Sequence, residues 1–554
     1  MFAPIRAYHI DLNTGVYTDE GEWSEGKNPL KFIMHHRAKL NIFPNLDGCV
    51  GALCGLLELD KEQLKQLKEQ DEIHIDYHGV RYLLKYYKGR HFCIEFADGR
   101  NGFANFMCAS LYNEDFGTIE DAHHKNYCVD RAKQALAIGE QVKDAYEALG
   151  WKPSKVSPVS ALRDKVHIEM PDLANAPEEV LKWALKCCNG GWQEAFTLGH
   201  WTGEDGDEVF DFDLVSAYPH IASKLMHLDY GHWVHTPEWQ KDAEYGYCMV
   251  RVDVKSEVSP VAWWRAKEQH KFTPKGQWER PMSIQKIRFL RKWDLADVVI
   301  LDGYWWIPDK EVYLFEDIAQ DLFEKKQSSN GLKREVVKKA LNGYLYGRWL
   351  QYNAKERLFS DAFNPIFAEQ VLNGTKMRIV STCLRNGVRP LHIAVDGFLS
   401  DKPIPTPHPD RMGSWKLAYS GRCVIAGTAT VGKDMPKPRE FAINYDKLLE
   451  AVEGDPSADE WTITKMHVIG VDDAVAHGKP IGELEEMRKV IGLGDTKRTY
   501  HPIPLDGEDL LSGKKYLSKP WSVDVLEPLV ASREDLFDQD WWKILHGEEV
   551  IQDE

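Results

Sequence analysis

The chain is poor in the features that mark secreted, disulfide-bound or membrane-inserted proteins. Its ten cysteines never form a C-x-x-C; the closest are Cys49 with Cys54 and the adjacent Cys187 and Cys188. Neither spacing suits a structural zinc site, and a disulfide framework is not expected in a chain of 554 residues, so reduced core thiols are expected. There is no uncharged apolar run of about 18 residues, and the opening MFAPIRAYHIDL has no signal-peptide core, so a cytoplasmic protein without a membrane partner is expected. Internal repeats and low-complexity segments are missing too. Positive charge is in short supply: 69 Lys and Arg stand against 86 Asp and Glu, a net −17. That balance argues against a general nucleic-acid coat and leaves room only for a local basic channel. What remains, 43% hydrophobic and 28% charged residues, is ordinary for a globular chain long enough for several domains.

One stretch breaks the acidic trend. From Glu324 to Arg348 there are seven Lys or Arg against two Glu, the acidic excess lying elsewhere, notably after Ser532. The apolar spacing predicts a helical hairpin, Val312 to Lys326 and Leu332 to Leu350, around the loop QSSNG. Its second arm carries Lys333, Arg334, Lys338, Lys339 and Arg348 against one acid, Glu335. Cations stacked on one helix suit the phosphates of a nucleotide, although a solvated amphipathic face is the plainer alternative.

Two acids stand out for their settings. In EVFDFDLV, Phe210 and Phe212 alternate with Asp211 and Asp213, so Asp213 falls at a strand end before a helix-like run from Ser216 to Met226 with Pro219 near its start. In LHIAVDGFLS, Leu391, Ile393 and Val395 alternate, Asp396-Gly397 reads as a turn, and Phe398 begins a return strand with Asp396 at the tip. Carboxylates on strand ends can hold Mg²⁺, and backbone amides at the following helix can meet phosphate. Each motif alone also has a local explanation, a cap in the first case and a turn in the second.

An acid at a strand end, a basic helix and a second acid on a hairpin together resemble motifs A, B and C of family B DNA polymerases, most closely the viral, protein-primed-like branch. Asp213 to Pro219 resembles D-x-x-S-L-Y-P; Lys338 to Gly347 resembles K-x-x-x-N-S-x-Y-G; and Ala394-Val395-Asp396 resembles D-T-D with its first acid replaced. Upstream, CNGGWQEAF (Cys188 to Phe196) is similar to the Y-x-G-G segment of that branch, and the likeness covers roughly residues 187 to 400. The K-x-Y motif expected after motif C is not visible in GRCVIAGTATVGK.

The resemblance implies a mixed α/β (α+β), multidomain chain with polymerase palm, fingers and thumb behind an RNase H-like exonuclease-type domain. It divides the chain into that N-terminal domain (1–186), palm with an insertion (187–308), fingers (309–350), palm with motif C (351–420), and thumb with the C-terminal tail (421–554). Asp11, Asp47 and Asp130 would be remnants of a four-acid exonuclease centre, and a degenerate domain is expected. The implied activity is template-directed addition of dNTPs to a primer 3′-hydroxyl by a two-metal mechanism, in viral or mobile-element replication and hence in a host cytoplasm. A catalytically weakened DNA-binding or replisome protein and a primer-independent polymerase are the alternatives. Asp213, Asp396 and the Leu214 carbonyl would hold two Mg²⁺, with Mn²⁺ able to substitute. Val215, Ser216, Ala217 and Tyr218 would meet the nucleotide, Tyr218 under the sugar, together with Arg334, Lys338, Lys339, Asn342 and Tyr346. Counting back from Tyr346-Gly347 selects Lys339 as the motif B lysine, whereas the series Arg334, Lys338, Asn342 selects Lys338. Gly190, Gly191 and Trp192 would touch DNA, and a stretch with Trp263, Trp264, Arg265, Lys267, Lys271, Lys275 and Arg280 either lines a DNA path or packs. Primer-template DNA and dNTPs are the implied partners, with other replication proteins. Elsewhere the pattern predicts strands at Glu72 to Tyr77, Arg81 to Tyr87 and His91 to Phe96, and a helix from Tyr127 to Leu149. After Asp401 it predicts a strand near Arg422 to Val431 and helices around Tyr445 to Val452 and Ile481 to Val490.

Overall fold

The structure, a computed structural model, describes residues 5–24, 28–38, 40–87, 91–97, 102–112, 125–152, 157–204, 206–265, 270–353, 358–435, 442–494 and 497–526. Lys267, the acidic tail after Ser532, and the side chains of Trp264, Arg265 and Lys271 lie outside the described residues. The chain forms two compact units: Met1–His167 with Leu322–Tyr344 and Thr464–Lys489, and Ile168–Asp321 with Leu345–Ile463 and Val490–Glu554.

The first unit is built on a seven-stranded sheet in the order Gly15–Thr18, Ile5–Asp11, Leu40–Phe43, Phe103–Cys108, His91–Phe96, Val80–Tyr87, Glu72–Tyr77. The Leu40–Phe43 strand runs parallel to both neighbours. Glu72–Tyr77 and His91–Phe96 fall where strand-like runs were expected, and in the first Ile73 and Ile75 turn into the core with Glu72, His74 and Asp76 out. The expected long helix is Lys125–Ala148, packed along the first strand. Ile469, Val471 and Ala474 join the same core as Val50, Leu53 and Leu67. There Gly51 approaches so closely that a Cβ on it would stand 2.5 Å from the Ile469 carbonyl oxygen. Ile481 to Val490, expected as a helix, is instead the strand Leu484–Gly492, paired with Glu460–Val468. Its Leu, Glu, Met, Arg and Lys residues favour helix, but propensity is a weak preference that strand pairing overrides.

The helical hairpin is present with shorter arms, Glu316–Gln327 and Gly331–Leu345. The first arm starts late because Tyr313 forms a bridge with Met226 and the Val312 carbonyl accepts from the His227 amide, which keeps that segment extended. The second arm buries Val336, Val337, Ala340 and Leu341, and its Gly343 lies against the Val159 side chain.

Among the described residues the second unit holds three sheets of four strands or more. The five-stranded one runs Trp415–Gly421, Val209–Leu214, Gly397–Ser400, His392–Ala394, Gln193–Ala195, antiparallel throughout. A four-stranded sheet contains Tyr245–Val254 and Ala296–Pro308, and a six-stranded sheet contains Thr197–Trp201, Cys423–Gly427 and Thr430–Lys433. Phe212, Leu214, Ile393 and Phe398 enter one core, while Val209, Leu391 and Leu399 enter another, so the Val209–Leu214 strand is covered on both faces. The Pro365–Asn386 helix is set by its ends: the Asn364 side chain accepts from the Phe367 amide, Pro365 opens the first turn, and Gly387 closes the last at φ 61°. Trp415 ties the edge strand to this helix through a 2.8 Å hydrogen bond from its Nε1 to Thr382 Oγ1. All ten cysteines are buried thiols. Among the described residues no helix is long and apolar enough to cross a membrane.

Candidate active site

Asp213 and Asp396 meet at one end of the five-stranded sheet. Strand register sets Asp213 opposite Gly397, and the Leu214 amide donates to the Asp396 carbonyl at 3.1 Å, so Asp213 near its strand end and Asp396 at the adjoining hairpin tip lie one step apart. The hairpin tip differs in detail from the expected Asp396-Gly397 turn. Ala394 pairs with Gly397, so the turn residues are Val395 and Asp396, and Gly397 already belongs to the return strand. Gly397 is needed for space: a Cβ there would lie 2.7 Å from the Phe212 carbonyl oxygen. The left-handed backbone falls on Val395, at φ 61°, which a β-branched residue adopts only under strain. The Val395 amide donates to the Trp192 carbonyl at 2.7 Å and the Asp396 amide to the Ala394 carbonyl at 2.8 Å, and these bonds hold the strained tip.

That contact assigns a concrete place to Gly190, Gly191 and Trp192. Gly190 turns the chain at φ 61°, Gly191 sits under the Val395 side chain, and Trp192 is buried with its Nε1 donating to Glu194 at 2.7 Å. Glu194 is completed by Arg498 at 2.6 Å and by the Thr273 hydroxyl, a charge pair sealed from solvent and fully hydrogen-bonded. The Trp192 ring is therefore committed to the support of the hairpin. Beside this segment opens a cavity of about 530 Å³, lined by Gly191, Gln193, Lys376, Thr428 and Lys497 among others.

Asp213 is only 7% exposed, and a carboxylate removed from water needs a counter-charge. Lys416, on the neighbouring Trp415–Gly421 strand, provides one at 2.9 Å. Asp211, two residues back on the same face, is met at 2.6 Å by the partly buried Lys433. Sequence reasoning missed both lysines; only the pairing of Val209–Leu214 with Trp415–Gly421, and the packing of Thr430–Lys433, bring them to these acids.

The helix after Asp213 is short, Ala217–Ala222, because from Ser223 onward the chain turns and then forms the Met226 bridge with Tyr313. Ser216 precedes it in the left-handed region at φ 50°. The Val215 amide, expected among the nucleotide donors, is committed to the Ser414 carbonyl at 3.0 Å, and the first-turn amides are those of Ala217 and Tyr218. The Tyr218 ring packs edge-on against Tyr346, 4.7 Å between centroids. Burial pushes the Tyr218 phenol well up, with Tyr346 and Asp396 adding to it, which marks Asp396 as its electrostatic neighbour. Asp213, Asp396, Tyr218 and Tyr346 thus gather in the second unit.

The remaining residues lie on the Gly331–Leu345 helix. Arg334 and Asn342 are exposed, Lys338 shares their i, i+4, i+8 face and pairs with Glu335 at 3.2 Å, and Lys339 is half-buried on the adjoining face. In the first unit the three N-terminal acids do local work. Asp11 accepts from the amides of Asn13 and Thr14 and from the Thr14 hydroxyl, Asp47 accepts from the Tyr86 hydroxyl at 2.5 Å, and Asp130 is exposed on the Lys125–Ala148 helix.

Among the described residues no three His, Cys, Asp or Glu side chains gather as a metal-binding group. The donors at the Asp213 end are instead two carboxylates and backbone carbonyls, all oxygen. This set fits Mg²⁺, which typically takes one or two carboxylates and fills its remaining positions with water and substrate phosphate.

No family model matches the sequence, and no curated protein matches it. Solved structures are similar in fold. The orthorhombic crystal form of Phi29 DNA polymerase aligns with a TM-score of 0.57 at 12% identity, covering 88% of this chain and 100% of that one. Phi29 DNA polymerase complexed with primer-template DNA gives 0.56 at 12% identity with the same coverage. Its ternary complex with primer-template DNA and incoming nucleotide substrates gives 0.52 at 13%, covering 89% and 100%. The chain is thus a mixed α/β, multidomain protein that shares its fold with these DNA polymerase structures.

Proposed function

We propose that the protein is a template-directed DNA polymerase of the family B kind, adding dNTPs to a primer 3′-hydroxyl. The observation that carries this is the convergence of Asp213 near its strand end and Asp396 at the adjoining hairpin tip beside Tyr218, on a fold shared with Phi29 DNA polymerase. On this proposal the five-stranded sheet is the palm and the Glu316–Leu345 hairpin the fingers. Asp213, Asp396 and the Leu214 carbonyl would hold Mg²⁺ ions, which would supply the charge that activates the primer hydroxyl and neutralises the phosphates. Lys416 orients Asp213 through their 2.9 Å ion pair. The Ala217 and Tyr218 amides donate to phosphate oxygens of the incoming nucleotide. Tyr218, braced by Tyr346, closes the space below the sugar and excludes a 2′-hydroxyl. Lys376 and Lys497 in the cavity beside Gly191 bring positive charge to the primer-template.

A second proposal, a catalytically weakened DNA-binding protein, is favoured by Ala394 at the first motif C position. Extension of a labelled primer-template with Mg²⁺ and dNTPs separates the two: dNTP-dependent elongation supports the polymerase, and binding without elongation supports the weakened protein.

A further inference from the structure

A knot of cations with no acid partner among the described residues lies on the second unit, built from residues with no part in the chemistry above. Lys224 and His220 sit at the end of the Ala217–Ala222 helix, with Lys224 Nζ 3.2 Å from His220 Nε2. The His220 ring rests on Gly413, leaving no room there for a side chain. The Gly413 carbonyl in turn accepts from Arg378 Nη2 at 2.6 Å, and Arg411 stands two residues earlier in the same turn. Three cations and an imidazole are thus organised around one glycine. Arg378 is further constrained, since its Nε is buried with no hydrogen-bond partner among the described residues.

Like charges this close oppose one another. Burial first, then Lys224, Arg378 and Arg411, hold His220 down at about 4, and burial with the two arginines lowers Lys224. The further charge acting on Arg378 is again positive, Arg385. No carboxylate of the described residues pairs with Lys224, Arg378 or Arg411. In a chain with 17 more acids than bases, where Asp211, Asp213 and Glu194 all have cationic partners, three neighbouring cations without an acid are out of character. A buried donor with nothing to bind and a crowd of like charges are both relieved by one thing, an anion with several oxygens.

We propose that Lys224, Arg378 and Arg411 form a phosphate-binding site outside the candidate active site, taking the phosphate of a nucleic-acid backbone or of a small polyphosphate. Successive phosphates of a strand or of a polyphosphate offer several anionic oxygens to three cations, and an arginine fork suits their geometry. The site does not depend on the proposed polymerase activity, since neither Asp213 nor Asp396 contributes to it.

The test uses the full chain in chloride buffer without divalent metal. In the wild type, inorganic pyrophosphate should raise the melting temperature. Arg411→Gln, at an exposed position, should melt higher than the wild type without anion because like-charge repulsion is relieved, and should lose most of the pyrophosphate increment; Lys224→Gln should do the same. An oligothymidylate titration at several salt concentrations distinguishes the sources. A slope of log affinity on log salt smaller by about one in Arg411→Gln points to a nucleic-acid strand. An unchanged slope with a lost pyrophosphate increment points to a small polyphosphate, and either result upholds the site. Equal pyrophosphate increments in wild type and both variants overturn it, as does a response to polyglutamate but not to pyrophosphate, which would indicate an acidic protein partner. A lower melting temperature in both variants with the increment intact would make the cations structural and also overturns it.

Discussion

The acids of the second unit's five-stranded sheet and those of the first unit look alike in sequence but have different environments. Asp213 and Asp396 are brought together by strand register, at a strand end and the adjoining hairpin tip, with a lysine as counter-charge and a buried tyrosine alongside. Asp11, Asp47 and Asp130 are each absorbed locally, by a turn, by a tyrosine hydroxyl and by solvent. The difference teaches that an acid becomes a candidate metal ligand through what pairs its element with another acid's element. An isolated D in a plausible place carries no such information.

The contrast breaks most visibly if the paired acids are dispensable. Asp213→Asn and Asp396→Asn should each lower primer extension by about 10²- to 10³-fold while DNA binding survives, because the lost charge lies where the transition state concentrates it. Near wild-type extension by either variant in a single-turnover assay would remove the proposed two-acid centre. Tyr218→Val should come next, raising ribonucleotide incorporation relative to deoxynucleotide by about one to two orders of magnitude, since a steric block acts on only one of the two sugars. Equal losses for both sugars would reduce Tyr218 to a packing partner of Tyr346.

A smaller effect is expected at Lys416. On the proposed metal site its ammonium would compete with metal for Asp213, so Lys416→Met should tighten Mn²⁺ binding, followed by the loss of the free-ion EPR signal, about two- to fivefold, the size of one partly exposed ion pair. Weaker binding in that variant would show that Lys416 instead supports the metal-bound arrangement.

Much of this contrast was legible in the chain, and the part that was not has a physical reason. Strand-like runs located Glu72–Tyr77 and His91–Phe96, and alternation of Phe with Asp located the Asp213 strand; only Glu72–Tyr77 turns a single face to a core, while the Asp213 strand is covered on both. Alternation also foresaw that Asp211 and Asp213 share a face, but not that Lys433 is already spent on Asp211, which makes Asp211 a buried ion-pair partner here. Lys416 and Lys433 carry no local signal; they matter through strands that arrive some 200 residues later. The same holds for Lys224, Arg378 and Arg411, which no window of sequence contains together. Ile481 to Val490 misled for the opposite reason: its local signal was helical, and pairing with Glu460–Val468 outweighed it. At Asp396 the alternation was right and the turn was off by one residue, because Gly397 is small to let the strand approach Phe212, and the left-handed position falls on Val395.

The smallest expected effect on synthesis is at Asp11, and it sharpens the comparison from the other side. The Asp11 carboxylate caps its own turn, accepting from two amides and a hydroxyl, so Asp11→Ala should destabilise the first unit by roughly 1–2 kcal/mol. The lowest-temperature unfolding transition would then fall by a few degrees. Primer extension at a temperature well below that transition should be unchanged. Since Asp130 stands exposed on its helix and Asp47 is engaged by Tyr86, a mismatched 3′ end incubated with Mg²⁺ and no dNTPs should persist in wild type, Asp11→Ala and Asp130→Ala alike. If the wild type instead trims the mismatch rapidly and Asp130→Ala does not, the first unit's acids act together on metal in the presence of DNA, and the contrast between the two units disappears.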